Sequence, residues 1–259
     1  MNTLVFDIET IPDIEGGRKL YELGDLDADG VAKAMFHLRQ QAVGHSFLPH
    51  HLQQVAAISV TFRGRGDEFR VWSLGSEAAE EKEILQRFFD GIERFTPTLV
   101  SWNGSGFDLP VIHYRALLHK ITAARYWDMG EEDQGFKWNN YISRYHSRHT
   151  DLMDLLAMYG GRANAPLDQL ATLFGFPGKM GMDGSKVWDA YQEGRIADIR
   201  NYCETDVLNT WLVYLRFELL RGHIDIPRYD RECELVRHHL KQSGQEHLLA
   251  FEAAWEPGA

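Results

Sequence analysis

The sequence predicts one α/β domain with a small helical extension at its C-terminal end. Two observations predict it. Short apolar, β-branched runs alternate with longer segments of helical period, the pattern of a sheet flanked by helices. No internal repeat, low-complexity tract or strong linker interrupts the 259 residues, a length that suits one large domain or two small ones at roughly 150 residues each. Apolar residues make up 44% and charged residues 25%. That is ordinary for a soluble globular chain and excludes collagen-like and fully disordered classes. A chain this long can bury a sizeable core.

The elements follow in order. Residues 3–6 are apolar and lead straight into Asp7-Ile8-Glu9-Thr10, a buried first strand whose ladder Pro12 ends. Residues 13–50 are polar and carry Gly16, Gly17, Gly24 and Gly30. One helix is expected there, near 31–41. Residues 55–62 and 68–73 read as two strands of a hairpin around a glycine turn at 64–66. Ser76 suits the N-cap of a helix reaching residue 95, with Glu80 and Glu81 in its early turns. A strand at 98–102 runs into a tight loop at 103–106, and a helix follows at 109–119. Residues 126–148 are dense in aromatic and charged side chains, without a clean period. The second half opens at 149–156. Residues 166–174 form a short helix with Pro166 in its first turn, and 175–184 a glycine-rich loop. A short helix at 187–193 precedes a long one at 195–220. Its residues Ile196, Ile199, Cys203, Val207 and Trp211 recur at steps of three and four. The tail from Asp230 carries one or two amphipathic helices.

Charge narrows the classes. Lys and Arg number 27 against 38 Asp and Glu, a net of −11. A generic duplex-coating protein would need a broad basic face, whereas a nucleic-acid enzyme whose metal ions offset an acidic cleft is compatible. Cys203 and Cys233 alone make neither a zinc-ligand spacing nor a disulfide framework, which suits a reducing compartment. No apolar run reaches the ~18 residues of a membrane helix, and the first residues lack a signal-peptide pattern. The expected location is cytoplasmic.

Three motifs carry chemistry. In Asp7-Ile8-Glu9, alternation along a strand puts both carboxylates on one face. They repel one another unless a cation sits between them, and hard divalent ions prefer carboxylate oxygen. In Ser101-Trp102-Asn103-Gly104-Ser105-Gly106-Phe107-Asp108-Leu109-Pro110, a strand enters a glycine loop and an aspartate opens a helix. Asp108 there reads equally as an N-cap. Trp102 and Phe107 flank free backbone N–H groups, which suit a base and a phosphate. In Tyr202-Cys203-Glu204-Thr205-Asp206, Tyr202 and Asp206 stand four apart on one helical face, at the edge of the apolar stripe. Taken singly, each has a structural reading: a solvated strand end, a cap, a surface Tyr–Asp pair.

In this order, Asp-x-Glu, Asn-Gly-x₂-Phe-Asp-x-Pro and Tyr-x₃-Asp, the sequence resembles the DEDD superfamily of 3′→5′ exonucleases with the ribonuclease-H-like (DnaQ-like) fold. The tyrosine spacing marks its DEDDy branch. The sister branch has a histidine where Asn201 stands. Within the superfamily it is most similar to predicted exonucleases related to the proofreading domain of family B DNA polymerases. The likeness extends to His149-Thr150-Asp151-Leu152 and Leu167-Asp168-Gln169-Leu170.

The resemblance implies a mixed, five-stranded sheet flanked by helices, with one antiparallel strand from the hairpin. It implies an exonuclease domain at 1–222 with a helical extension at 223–259 packed on it. It implies a site for two divalent ions, Mg²⁺ or Mn²⁺, with Asp7 shared, Glu9 and Asp206 on one ion and Asp108 on the other, and Tyr202 orienting the attacking water. Thr10, Trp102, Asn103 and Phe107 are the candidates for holding the terminal nucleotide. The expected partner is single-stranded nucleic acid with a free 3′ end, DNA ahead of RNA, hydrolysed to nucleoside monophosphates, and no membrane.

The competing enzyme is a haloacid-dehalogenase-like phosphatase, which needs an aspartate where Glu9 stands and an acidic loop this sequence lacks. A binding module with a decayed site is the other alternative, and the intact set of five residues weighs against it. Asp151 and Asp154 are expected to be structural. Surface positions are expected for His45, His50, His51, His238 and His239. The basic stretch Arg144, His146, Arg148, His149 is expected on a solvated face, and Lys179 and Lys186 are candidates for phosphate contacts.

Overall fold

The computed structural model describes residues 2–258. Among them, one mixed sheet of five strands runs in the order β3-β2-β1-β4-β5. The strands are β1 (Thr3–Pro12), β2 (Gln53–Arg63), β3 (Phe69–Ser73), β4 (Thr98–Ser101) and β5 (His149–Asp151). β2 is antiparallel to both β1 and β3, and β1, β4 and β5 are parallel. The one antiparallel strand therefore comes from the hairpin, as expected.

Alternation along β1 divides its side chains between the two layers. Leu4, Phe6 and Ile8 face a core built with α3 (Glu81–Phe95) and α4 (Asp108–His119). Val5 faces the other layer, built on α9 (Ile196–Leu220). α7 (Leu167–Leu173), α8 (Val187–Gln192), α10 (Ile226–Gln242) and α11 (Glu246–Ala254) pack on α9. The buried residues of α9 include Ile199, Cys203, Val207 and Trp211 of the expected stripe. They also include Glu204, Thr205, Asn209 and Thr210. This helix is enclosed on several sides, so its burial exceeds what one amphipathic stripe would give.

Two local expectations are corrected. The 13–50 segment holds two helices, α1 (Ile14–Tyr21) and α2 (Ala28–Val43), not one. Asp13 caps α1 by accepting the Gly16 N–H at 3.0 Å. Gly17 is a packing residue rather than a breaker: a Cβ there would collide with the Met35 thioether of α2. Ser76 caps no helix. It closes a turn through its carbonyl to the Ala79 N–H, and α3 starts at Glu81. The Glu81 carboxylate is drawn inward by Arg115 and by the Val55 N–H, which sets that start. The remaining α-helices among the described residues are α5 (Ala124–Trp127) and α6 (Leu152–Leu156).

Candidate active site

Strand length builds the site. β4 pairs with β1 only through Val5, so beyond that point one edge of β1 has no neighbouring strand. The open edge needs a hydrogen-bond partner, and Asp108 supplies it: its Oδ1 accepts the Ile8 N–H at 3.1 Å. The loop that delivers Asp108 is held from behind. Asp151 accepts the Asn103 N–H at 3.0 Å and the Ser105 N–H at 2.8 Å. Asn103 adopts a left-handed backbone (φ 65°), and Gly104 must be glycine because a Cβ would strike the Ser101 side chain. Asp151 thus plays the structural part expected of it, as does Asp154 in pairing with Arg144 at 2.7 Å.

Helix α9 delivers the rest. Cys203 lies fully buried beneath β1, and its thiol donates to the Asp7 carbonyl at 3.4 Å and reaches Asp7 Oδ2 at 3.7 Å. That contact turns Tyr202 and Asp206, on the flank of the same helix, toward Asp7 and Glu9. Oxygen atoms of Asp7 and Glu9 and the Cys203 sulfur all lie within 4.8 Å of one another. Glu9, Asp108 and Tyr202 are buried, while Asp7 and Asp206 keep part of their surface in solvent.

The electrostatics are those of an uncompensated cluster. Burial, then repulsion from Asp108, Glu9 and Asp206, holds the Asp7 carboxyl well above its ordinary range. Burial and the charges of Asp206 and Asp108 do the same to Glu9. Asp108 is pushed up to about 7, chiefly by burial. Asp206 rises to about 6, burial outweighing the opposing pull of the Tyr202 hydroxyl and Lys179. Tyr202 itself is driven far above its usual value by burial and by Asp206, Glu9 and Asp7. That shift favours the protonated phenol. Carboxylate oxygens gathered at the cost of mutual repulsion fit hard divalent cations, which would relieve that repulsion.

A family model described as a predicted 3′-5′ exonuclease related to the exonuclease domain of PolB matches residues 45–255. The chain belongs to this exonuclease family. Asp108, Tyr202 and Asp206 fall inside the matched residues, and Asp7 and Glu9 precede them. Among solved structures, the family B DNA polymerase of the hyperthermophilic archaeon Pyrobaculum calidifontis shares the fold, with a TM-score of 0.50 and 19% identity. The superposition covers 85% of this chain and 24% of the polymerase. No curated protein sequence matches. No helix among the described residues is long and apolar enough to cross a membrane.

Around these carboxylates, the other candidates take different places. Thr10 donates its hydroxyl to Gln53 at 3.0 Å, and Trp102 packs into the α9-side core. Phe107 packs against the opposite core and meets Phe47 and His50 with ring centroids 5.5 and 5.6 Å away. His50 is therefore a packing residue, and so is His239, which stands edge-on to Phe69. The expected solvated basic face holds only in part: His149 is buried on Ser101, and Arg148 lies over Phe136. Sequence reasoning missed Cys203 as a neighbour of Asp7. Its place in the apolar stripe of α9 was the available signal. Lys179 lies close enough to Glu9 and Asp206 for its charge to favour their ionised forms. Its backbone N–H is fixed on Asp168 at 2.6 Å.

Proposed function

We propose that the protein is a metal-dependent 3′→5′ exonuclease of the DEDDy type, acting on single-stranded nucleic acid and releasing nucleoside monophosphates. The observation that carries this is the convergence of Asp7, Glu9, Asp108 and Asp206, four mutually repelling carboxylates that only the charge of Lys179 offsets in part, beside Tyr202. Asp7, Glu9 and Asp206 would hold one divalent ion, and Asp7 with Asp108 the other. When bound, Mg²⁺ or Mn²⁺ supplies acidification of the attacking water and charge neutralisation at the leaving 3′-oxygen.

The chain's own residues do the rest. Tyr202 holds the water by its hydroxyl and, being protonated, orients it rather than deprotonating it. Asp108 keeps its position because its other duty is to close the β1 edge at Ile8. Lys179, beside Glu9 and Asp206, offers a cation to the scissile phosphate. Asn103 and Phe107, on the loop that ends in Asp108, would hold the terminal nucleotide. An acidic protein gains little from broad backbone contact, so it grips a few nucleotides by stacking and coordination, which favours single strands and frayed ends.

The test is digestion of 5′-labelled single-stranded DNA and RNA of matched sequence, beside a recessed, fully paired 3′ end. Expected are a ladder shortening from the 3′ end, mononucleotide release, and no cleavage in excess chelator. Cleavage that survives the chelator would overturn the metal-dependent assignment.

A further inference from the structure

The residues after β5 organise a surface that the carboxylates do not use. Asp151 holds the 103–107 loop, and one turn later Asp154 takes the Arg144 guanidinium. Met158 and Tyr159 then both adopt left-handed backbone (φ 51° and 60°), unusual for consecutive non-glycine residues. This double turn brings the Tyr159 ring back under Arg144, 4.7 Å from its guanidinium, and edge-on to Tyr145 at 5.2 Å. Tyr145 is 75% exposed. Of the four basic residues from 144 to 149, only Arg144 is exposed.

Arg144 and Asp154 of this group also line a cleft of about 460 Å³. Ser105, Gly106, Leu109 and Trp127 line it as well. The first three of these belong to the loop and helix start that carry Asp108. Flat aromatic faces with a guanidinium among them are what successive bases and their phosphates bind.

We propose that this cleft and the Tyr145–Tyr159 pair hold the single strand upstream of its 3′ end, with Arg144 as the cation that meets a phosphate. The proposal rests on the exonuclease reading above and extends it to a second set of contacts. The occupant must be a polyanion with stackable faces, because the cleft joins a guanidinium and aromatic rings to the loop beside the catalytic carboxylates. On a chain of net charge −11, the exposed Arg144 guanidinium, which Asp154 shares, is the cation such a partner would meet.

The experiment measures anisotropy of 5′-labelled oligothymidylates, with Ca²⁺ replacing Mg²⁺, as their length rises from about two to about ten nucleotides. For the parent, affinity should rise with length. Tyr145→Ala and Tyr159→Ala should each weaken binding of the long strand about tenfold. Tyr145→Phe, which keeps the ring, should bind like the parent. Arg144→Gln should lower the salt slope by about one. Because Tyr145 lies largely in solvent, Tyr145→Ala tests the contact without disturbing the core. An unchanged length dependence in Tyr145→Ala overturns the proposal, as does a parent that binds an acidic peptide but no oligonucleotide. A parent that binds strands through Tyr145 yet releases no nucleotide with Mg²⁺ or Mn²⁺ sinks the exonuclease reading and leaves the platform standing.

Discussion

Two groups of acids gather at the first strand and its continuation, and they are built in opposite ways. In one, Arg115 reaches Asp13 at 2.5 Å and grips both oxygens of Glu81 at 2.8 and 2.6 Å. His119 and the Val55 N–H complete Glu81, and the Gly16 N–H completes Asp13. Burial pulls the Arg115 guanidinium down, yet Glu81 and Asp13 together hold its pKa above the ordinary value. In the other, Asp7, Glu9, Asp108 and Asp206 repel one another. No arginine or lysine among the described residues forms an ion pair with them within 4 Å. A charge-satisfied cluster pins the fold where β1 ends and α1, α3 and α4 meet. A cluster left short of positive charge is a place where the positive charge must come from outside.

The contrast can be broken at either end. The largest effect is expected from Asp7→Asn, which removes the carboxylate shared between the proposed ions. Turnover should fall to the level seen in excess chelator, with metal titration showing weakened binding. Next, Tyr202→Phe should slow single-turnover cleavage by roughly 10²–10⁴ while the metal titration stays as in the parent. Its ring remains at the helix edge, so the melting temperature should change little. Cleavage at the parent's rate would return Tyr202 to a packing role.

Arg115→Gln strands two buried carboxylates and should destabilise the protein by about 3–5 kcal/mol, read by denaturant or thermal melting, with no rescue by divalent ions. A loss below about 1 kcal/mol would mean that the cluster does not pin the fold as its hydrogen bonds imply.

The smallest effect is a trend with pH. A carboxyl raised from 3.8 to about 7 stabilises the fold in its protonated form, so its contribution is lost as pH rises through that window. His113 and His149 act in the other direction. Burial lowers both from 6.5 to about 4, so their contribution grows as pH rises between those values. Comparing Asp108→Asn with the parent cancels the histidines, and Asn retains an oxygen for the Ile8 N–H. In chelator, the variant's relative stability should increase from pH 4 to pH 7, and Mn²⁺ should flatten the increase. A flat difference in chelator would show that Asp108 is already compensated.

Much of this contrast is legible in the amino-acid sequence. Periodicity two puts Asp7 and Glu9 on one face, and periodicity near 3.6 puts Tyr202 and Asp206 on one flank, because backbone geometry alone fixes those relations. The hairpin, the long helix and the 109–119 helix are legible for the same local reason. α1 is not, since a glycine pair argues against a helix until Met35 is seen pressing on Gly17. The start of α3 is not, since Ser76 is the better local cap and Glu81 answers to Arg115, 34 residues away.

The sequence by itself determined which chemical groups the protein owns, their order, and the local faces on which they stand. Only the tertiary structure decided which of those groups meet. Asp108 could be a cap or a site carboxylate until β4 stops short and leaves the Ile8 N–H for it to close. Glu81 and Glu9 look alike in sequence, yet one finds Arg115 and the other finds only acids, the Cys203 thiol and the charge of Lys179 nearby. The reason is range. Propensity and period act over a few residues, whereas burial and charge compensation depend on neighbours brought together from across the chain, and those terms set where a cation is needed.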